Sequence, residues 1–278
     1  MIILKQLIKN KTALCCIVLI TLIIILGILA PYIAPFDPNK VRIVRKYASM
    51  SGEHWLGCDH LGRDIFSRLL YGIRSTLFLS LLTMIITIVI GTVIGLISGY
   101  QRGKLDECIM RLCDVMLSFP SQVMILAIVG VLGVGIENVI IANIVVKWAW
   151  YSRMIRSSVI KHSRKNYILF SRAIGASNIF IIRRHLLPNI MSELVVLATL
   201  DTGWVILNIS ALSFIGLGVQ APTAEWGLML SEAKNVMIQH PMQMVFPGIA
   251  ILIVVAAFNM LGDCLRDILD PKDKSNES

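Results

Sequence analysis

The chain has 278 residues, of which 56% are hydrophobic and only 15% charged, and its formal net charge is +9 at pH 7. Soluble globular domains are about 45–50% apolar and about 25% charged, so this composition excludes a disordered chain, a disulfide-built scaffold and almost any soluble enzyme. Apolar runs of about 20 residues, long enough to cross a bilayer, indicate an all-α membrane protein with several spans. The basic residues fall between these runs, which membrane topology explains better than a nucleic-acid partner.

Six apolar runs along the chain predict six transmembrane helices. In chain order they are Ala13–Ala30, Ser75–Gly99, Leu112–Leu132, Glu137–Tyr151, Asn189–Leu212 and Val245–Gly262. The first run follows a basic start like that of a signal peptide, but its apolar core is too long for one, so we expect an uncleaved span. The predicted organisation is an N-terminus with the first span (1–30), an extracytoplasmic segment (31–74), a transmembrane core (75–262) containing a long loop (152–188), and a solvated tail (263–278).

The distribution of Lys and Arg predicts which side of the membrane each segment occupies. With a cytoplasmic N-terminus, the inner segments carry 17 Lys and Arg and the outer segments carry 8, as the positive-inside rule requires. Residues 152–188 contribute eight of the 17 with no Asp or Glu, whereas residues 32–74 carry seven and oppose the assignment. We therefore expect a multi-pass protein of the cell membrane with both termini in the cytoplasm.

The loop 152–188 is too polar to cross a membrane and too periodic to be a plain connection. Its apolar residues recur at helical spacing on both sides of Gly175. A glycine there permits a backbone corner with positive φ, and Pro188 lies where the next helix tolerates it. The pattern predicts two short helices that meet at the Gly175 corner. An amphipathic connector on anionic lipid and an element that docks a partner protein explain it equally well.

The loop resembles the coupling ("EAA") loop of permease subunits in ABC importers. Gly175 matches the motif's glycine and Leu187-Pro188 its closing pair, but Leu169, Phe170 and Ser171 stand where that motif has Glu-Ala-Ala. Further runs are similar to permeases of the nickel and peptide class, most of all to the C-type nickel permeases: His54–Leu77, Trp148–Val159, Leu212–Leu230 and Phe258–Pro271. The resemblance implies a type I ABC importer permease fold that carries nickel or a metal chelate, with a dipeptide or oligopeptide as the alternative cargo.

The resemblance also implies partners and site residues. The chain would pair with a second homologous permease in the lipid bilayer, above two cytoplasmic ATPase subunits, and receive cargo from an extracytoplasmic binding protein. ATP and Mg would belong to the ATPases, since this chain has no P-loop, the run Gly99–Leu105 having the wrong spacing. It would bind no cofactor and would not be an enzyme. The predicted ATPase-coupling residues are Ser171, Arg172, Ala173, Gly175, Ala176, Arg183, Arg184, Leu187 and Pro188, with Gly175 as the corner and the arginines as a polar rim.

Polar residues inside predicted spans are candidates for the translocation pathway, because such residues are costly in lipid. Glu193 and Asp201 lie eight residues apart, and Asn208 continues nearly the same helix face. This stripe predicts either a pathway lining or a hydrogen-bonded seam with the partner permease, and Glu193 alternatively lies at the membrane interface. Lys147 is expected to form an ion pair or to snorkel, with no substrate role.

A second cluster, before the second span, contains residues able to ligate a metal. His54, Cys58 and His60 are transition-metal ligands by type, but their spacing fits no known metal motif. The preferred interpretation of this segment is an ion-paired, amphipathic lead-in to the span. Gly91, Gly95 and Gly99 form overlapping GxxxG motifs that predict close helix packing.

Two other classes of protein remain as alternatives. A secondary transporter would need repeated halves with a coupling-ion site, and the sequence shows no internal repeat. An intramembrane enzyme would need a nucleophile or a metal motif within a span, and neither HExxH nor GxSxG occurs.

Overall fold

A computed structural model describes residues 7 and 9–269. This part of the chain is helical and contains no β-strand. Its helices are α1 (Lys11–Ile33), α2 (Ile65–Gln101), α3 (Gly103–Leu117), α4 (Ser121–Leu132), α5 (Ile136–Ser163), α6 (Asn166–Ala173), α7 (Asn178–Phe214), α8 (Trp226–Ala233) and α9 (Met242–Leu269). The predicted tail from 270 onward and most of the predicted N-terminal head lie outside the described residues.

Four of these helices, α1, α2, α7 and α9, are long and apolar enough to cross a membrane. By the same criterion of length and composition, the bent pair α3 and α4 counts as a fifth crossing if the two helices form one span, although they are bent by 88° at the break between them. The predicted span Leu112–Leu132 is therefore divided between α3 and α4, since Pro120 provides no amide hydrogen to continue the helical ladder of α3. Helix α5 is 28 residues long but too polar to join this group.

Two helices extend beyond the predicted spans. Helix α5 continues to Ser163, whereas the predicted fourth span ends at Tyr151, and α7 begins at Asn178, whereas the predicted fifth span begins at Asn189. Arg153 and Arg156 do not end α5, because arginine is a good helix former. Pro188 is accommodated after a wider π turn at Ile182–Leu186.

The predicted glycine packing between helices is confirmed. A Cβ atom added to Gly91 would lie only 2.4 Å from Cβ of Tyr151, and one on Gly95 would lie 2.7 Å from the carbonyl oxygen of Ser152, both residues of α5. Gly99 meets Val159 in the same way, at 2.9 Å. Small residues thus let the α2 and α5 backbones approach closely, which fixes α5 against the centre of the bundle.

Candidate functional site

A capped glycine corner joins α6 to α7. Helix α6 ends in a Schellman motif: the amide of Ala176 donates to the carbonyl of Ser171 at 3.0 Å, and the amide of Gly175 donates to the carbonyl of Arg172 at 3.0 Å. Gly175 has φ +80°, as the sequence predicted. Ser177 then caps α7, because its hydroxyl accepts from the amide of Phe180. Hydrogen bonds on both sides of Gly175 therefore hold the ends of α6 and α7 at the corner.

One side of this corner is buried and the other is apolar yet exposed. Ile168, Ile181 and Leu186 are fully buried in the main core and anchor the loop. On the opposite side of the corner, Phe170, Ile174 and Ile179 are 67%, 68% and 69% exposed, and Phe180 is 50% exposed. We call these four residues the corner patch. An exposed apolar patch of this kind is typical of a surface that contacts either a partner protein or a membrane.

The other predicted coupling residues surround the corner patch in different environments. Arg183, Arg184, Ala173 and Pro188 are exposed, and Ala176 and Leu187 are half-buried. Arg172 lies over the ring of Tyr100, with its guanidinium carbon 4.8 Å from the ring centroid. Ser171 is buried and donates to the carbonyl of Tyr167, so its hydroxyl serves the loop itself.

The corner is connected directly to the long helices. Helix α7 is continuous from Asn178 through the middle of the bundle to Phe214, and α5 ends only two residues before α6 begins. The hydroxyl of Tyr100 on α2 donates to the side chain of Asn178 at 2.8 Å. The corner therefore lies at the end of one continuous helix that runs into the bundle.

Asp201 and Lys147 form an ion pair between α7 and α5. The ammonium of Lys147 lies 2.8 and 2.7 Å from the two carboxylate oxygens of Asp201, and the hydroxyl of Tyr151 donates to the same carboxylate. The expected pairing of Lys147 is confirmed, with Asp201 as its partner. Tyr151 was not among the predicted site residues, although its spacing of four residues from Lys147 places both on one helix face.

The other two members of the predicted polar stripe do not join this pair. Glu193 is exposed and accepts a hydrogen bond from Ser158 nearer the corner. The side-chain oxygen of Asn208 is buried and has no hydrogen-bond partner among the described residues. The three residues of the stripe thus lie in separate environments: Asp201 and Glu193 bind different residues of α5, and the oxygen of Asn208 is buried without a partner among the described residues.

The cluster before α2 forms a buried network of ion pairs. Arg63 donates to Asp59 at 2.6 Å and to Glu232 on α8 at 2.8 Å, and Arg68 donates to Glu232 at 3.1 Å. Both guanidinium side chains are 1% exposed. The predicted ion-paired lead-in is confirmed, and Glu232 is its unpredicted member.

The three candidate metal ligands of this segment do not come together as one site. His54 contacts Asp64 at 2.8 Å and also Arg45, while Cys58 is buried and burial raises the pKa of its thiol to about 11. Only His60 belongs to a potential ligand group among the described residues, together with Asp59 and Glu232. Both carboxylates of that group are occupied by Arg63 and Arg68, so its geometry favours a salt-bridge network over a metal site.

Family models and relatives from the same class of transport proteins match most of the chain. A family model described as a binding-protein-dependent transport system inner membrane component matches residues 91–274, and a model of the N-terminal transmembrane domain of oligopeptide transport permease C matches residues 2–49. The chain is 46% identical over 277 residues to the metal-staphylopine import system permease protein CntC of Staphylococcus aureus (strain NCTC 8325 / PS 47), which covers 100% of this chain and 96% of the relative.

Two further relatives cover most of the chain. The nickel transport system permease protein NikC of Escherichia coli (strain K12) is 42% identical, over 91% of this chain and 92% of the relative. The dipeptide transport system permease protein DppC of Alkalihalophilus pseudofirmus (strain ATCC BAA-2126 / JCM 17055 / OF4) is 41% identical, over 98% and 89%. Among solved structures, a chain of the inward-facing MetNI methionine ABC transporter matches with a TM-score of 0.58 at 19% identity, covering 74% of this chain and 98% of that chain, which indicates the same fold.

Proposed function

The chain belongs to the family of inner-membrane components of binding-protein-dependent transport systems, and we propose that its cargo is a complex of a transition metal with an organic chelator. The predicted family, ABC importer permeases of the nickel and peptide class, is confirmed. The support for the cargo is the relative named for metal-staphylopine import, which aligns with the whole chain. A dipeptide or oligopeptide is the second candidate, because the dipeptide permease is nearly as similar.

The chain crosses the membrane six times in this proposal. Helix α5, at about 1.5 Å per residue, is long enough to span with its polar end outside the bilayer, and Asp201 neutralises Lys147 within it. The bent pair α3 and α4 makes one further crossing. An even number of crossings and the excess of Lys and Arg in residues 152–188 support a cytoplasmic location of both termini and of the corner patch.

The corner patch docks an ATPase subunit. Four exposed apolar side chains at a rigid corner provide the contact area, and Arg183 and Arg184 supply charge at its rim. Because residues 152–188 contain no Asp or Glu, an acidic groove is the complementary surface. The ATPases bind ATP and Mg, a second permease completes the pathway, and a binding protein delivers the cargo on the outer side.

Movement of the corner alternates access to the pathway. Closure of the ATPases shifts the corner patch, and α7 carries that shift into the membrane because the helix is continuous. Helix α5 follows, since the Lys147–Asp201 pair and the core around Ile168 and Ile181 join it to α7. The rigid, exposed corner at the end of α7 is the observation that carries this mechanism.

The test is transport by the complete complex. A tagged chain should copurify with a second permease and two ATPase subunits. In proteoliposomes with the binding protein, the complex should accumulate radioactive nickel bound to staphylopine only when ATP is supplied. ATP-driven uptake of a dipeptide without metal would favour the second candidate, and uptake driven by an ion gradient by the chain alone would contradict the proposal.

A further inference from the structure

Lys147 is a charged residue inside a predicted transmembrane span. It lies in the middle part of α5 and pairs with Asp201 in the middle of α7, inside the helical bundle. Ion pairs removed from water add little to stability, because desolvation offsets their attraction. Ionisable residues in membrane helices instead tend to mark the routes of substrates and ions. The pair therefore calls for a functional explanation.

The surroundings of the pair hold the ammonium in one place. Asp201 accepts from Lys147 through both oxygens and also from Tyr151, whose own side chain is fully buried. The ammonium lies 3.6 Å from the ring centroid of Trp204, which is cation–π distance. Asp201 and Tyr151 are thus positioning residues, and Lys147 is the group they position.

Lys147 also lines an open cavity of about 190 Å³, enough for about six water molecules. The cavity lies at the break between α3 and α4, and its wall is formed by Met116, Leu117, Phe119, Ser121, Val146, Lys147, Trp150 and Trp204. Helix α4 begins at Ser121, and no side chain caps its first turn. Free amides at a helix N-terminus favour anions, as does the ammonium.

The chemistry of this wall is unsuited to a bare metal cation. The lining has no carboxylate, imidazole or thiol, the groups that ligate nickel. Asp201 pairs with Lys147 but does not line the cavity, so the wall presents the ammonium and not the carboxylate. At the wall a dication would meet this ammonium, whereas a carboxylate would meet the ammonium, a helix N-terminus and two indole rings.

We propose that Lys147 is a specificity-determining residue that binds a carboxylate of the cargo in the translocation pathway. This inference rests on the proposed transport function and narrows its cargo to a carboxylate-bearing metal chelate or peptide, excluding bare Ni²⁺. The bound carboxylate sits in the cavity between the α3–α4 break and Lys147, while Tyr151 continues to hold Asp201.

The test compares nickel complexes of two ligands that differ in one carboxylate. Nickel–histidine and nickel–histamine share imidazole and amine donors, but only histidine carries a carboxylate. Each complex, and NiCl₂, is titrated into the purified transporter while tryptophan fluorescence is followed, because Trp150 and Trp204 line the cavity. We expect half-maximal quenching by nickel–histidine at a concentration at least tenfold lower than by nickel–histamine or NiCl₂, and a Trp204→Phe variant with a smaller amplitude.

Variants assign the preference to the ammonium. Lys147→Arg should keep the preference for nickel–histidine, and Lys147→Met should abolish it. The double variant Lys147→Met/Asp201→Asn removes both charges without stranding either, and it should also lose the preference. Equal midpoints for the two complexes in the wild type, an absence of quenching, or an unchanged preference in both Met variants would overturn the proposal. A wild-type chain that purifies without ATPase subunits contradicts the transport function instead, and the ratio of midpoints still decides the role of Lys147.

Discussion

A Gly175→Val substitution is expected to abolish ATP-driven uptake while leaving the chain inserted in the membrane. Gly175 has φ +80°, and a side chain in this left-handed region costs about 1–2 kcal/mol, more for a β-branched residue. Nothing lies within 4 Å of a Cβ added there, so the chain avoids the strain by changing the corner rather than by unfolding. The corner patch then no longer fits its partner. Uptake in proteoliposomes measures the loss, and copurified ATPase measures docking.

Gly175→Asn is the matched control. Asparagine adopts positive φ more readily than other non-glycine residues, so this variant should keep most of the uptake. If the valine variant transports as well as the asparagine variant and the wild type, the backbone conformation of the corner has no role in coupling.

An Arg68→Met substitution should produce the largest loss of stability. The Arg68 guanidinium joins four segments: it donates to the carbonyls of Pro38 and Pro222 and to Glu232, and it lies 3.7 Å from Asp59. Breaking a buried ion pair from one side costs about 3–5 kcal/mol, since it leaves a charge without its partner. We expect the outer segment to detach from α8, with a lower melting temperature of the purified complex and faster proteolysis between residues 34 and 64.

Glu53→Gln provides the comparison within the same outer segment. Arg45 pairs with Glu53 at 2.7 Å, but the two side chains are 35% and 56% exposed. Exposed pairs contribute about 0–1 kcal/mol, so the melting temperature should hardly change. Equal destabilisation by the two substitutions would show that the buried network is not what holds the outer segment in place.

Most spans and the glycine corner could be predicted because their signals are local. Apolar length identifies α1, α2, α7 and α9, and helical spacing on both sides of Gly175 identifies the corner. Apolar length alone does not show the bend between α3 and α4, but Pro120 is a local signal for it, since a proline inside a helical pattern ends or kinks the helix. The helix ends could not be predicted from single residues. Helix α5 continues past the charged residue Arg153, and α7 begins before the helix-breaking residue Pro188.

Which residues pair in the charged sites depends on contacts between segments that are far apart in sequence. Lys147 and Asp201 were each noticed as costly in a membrane, but their pairing follows from the antiparallel packing of α5 and α7. Glu232 joins Arg63 and Arg68 across more than 160 residues of sequence, and no local spacing announces it. His54, Cys58 and His60 show the opposite case. They are close in sequence and suggest a metal site, but in the fold their side chains have different partners.

The docking of the corner patch on an ATPase is tested most directly by photo-crosslinking in the assembled complex. A photoreactive amino acid is placed at Ile174, which is 68% exposed in the corner patch, and in a second chain at Val44, which is fully exposed in the outer segment. We predict that Ile174 crosslinks to an ATPase subunit and Val44 does not. Crosslinking of Ile174 to lipid alone, or of Val44 to the ATPase, would contradict the account.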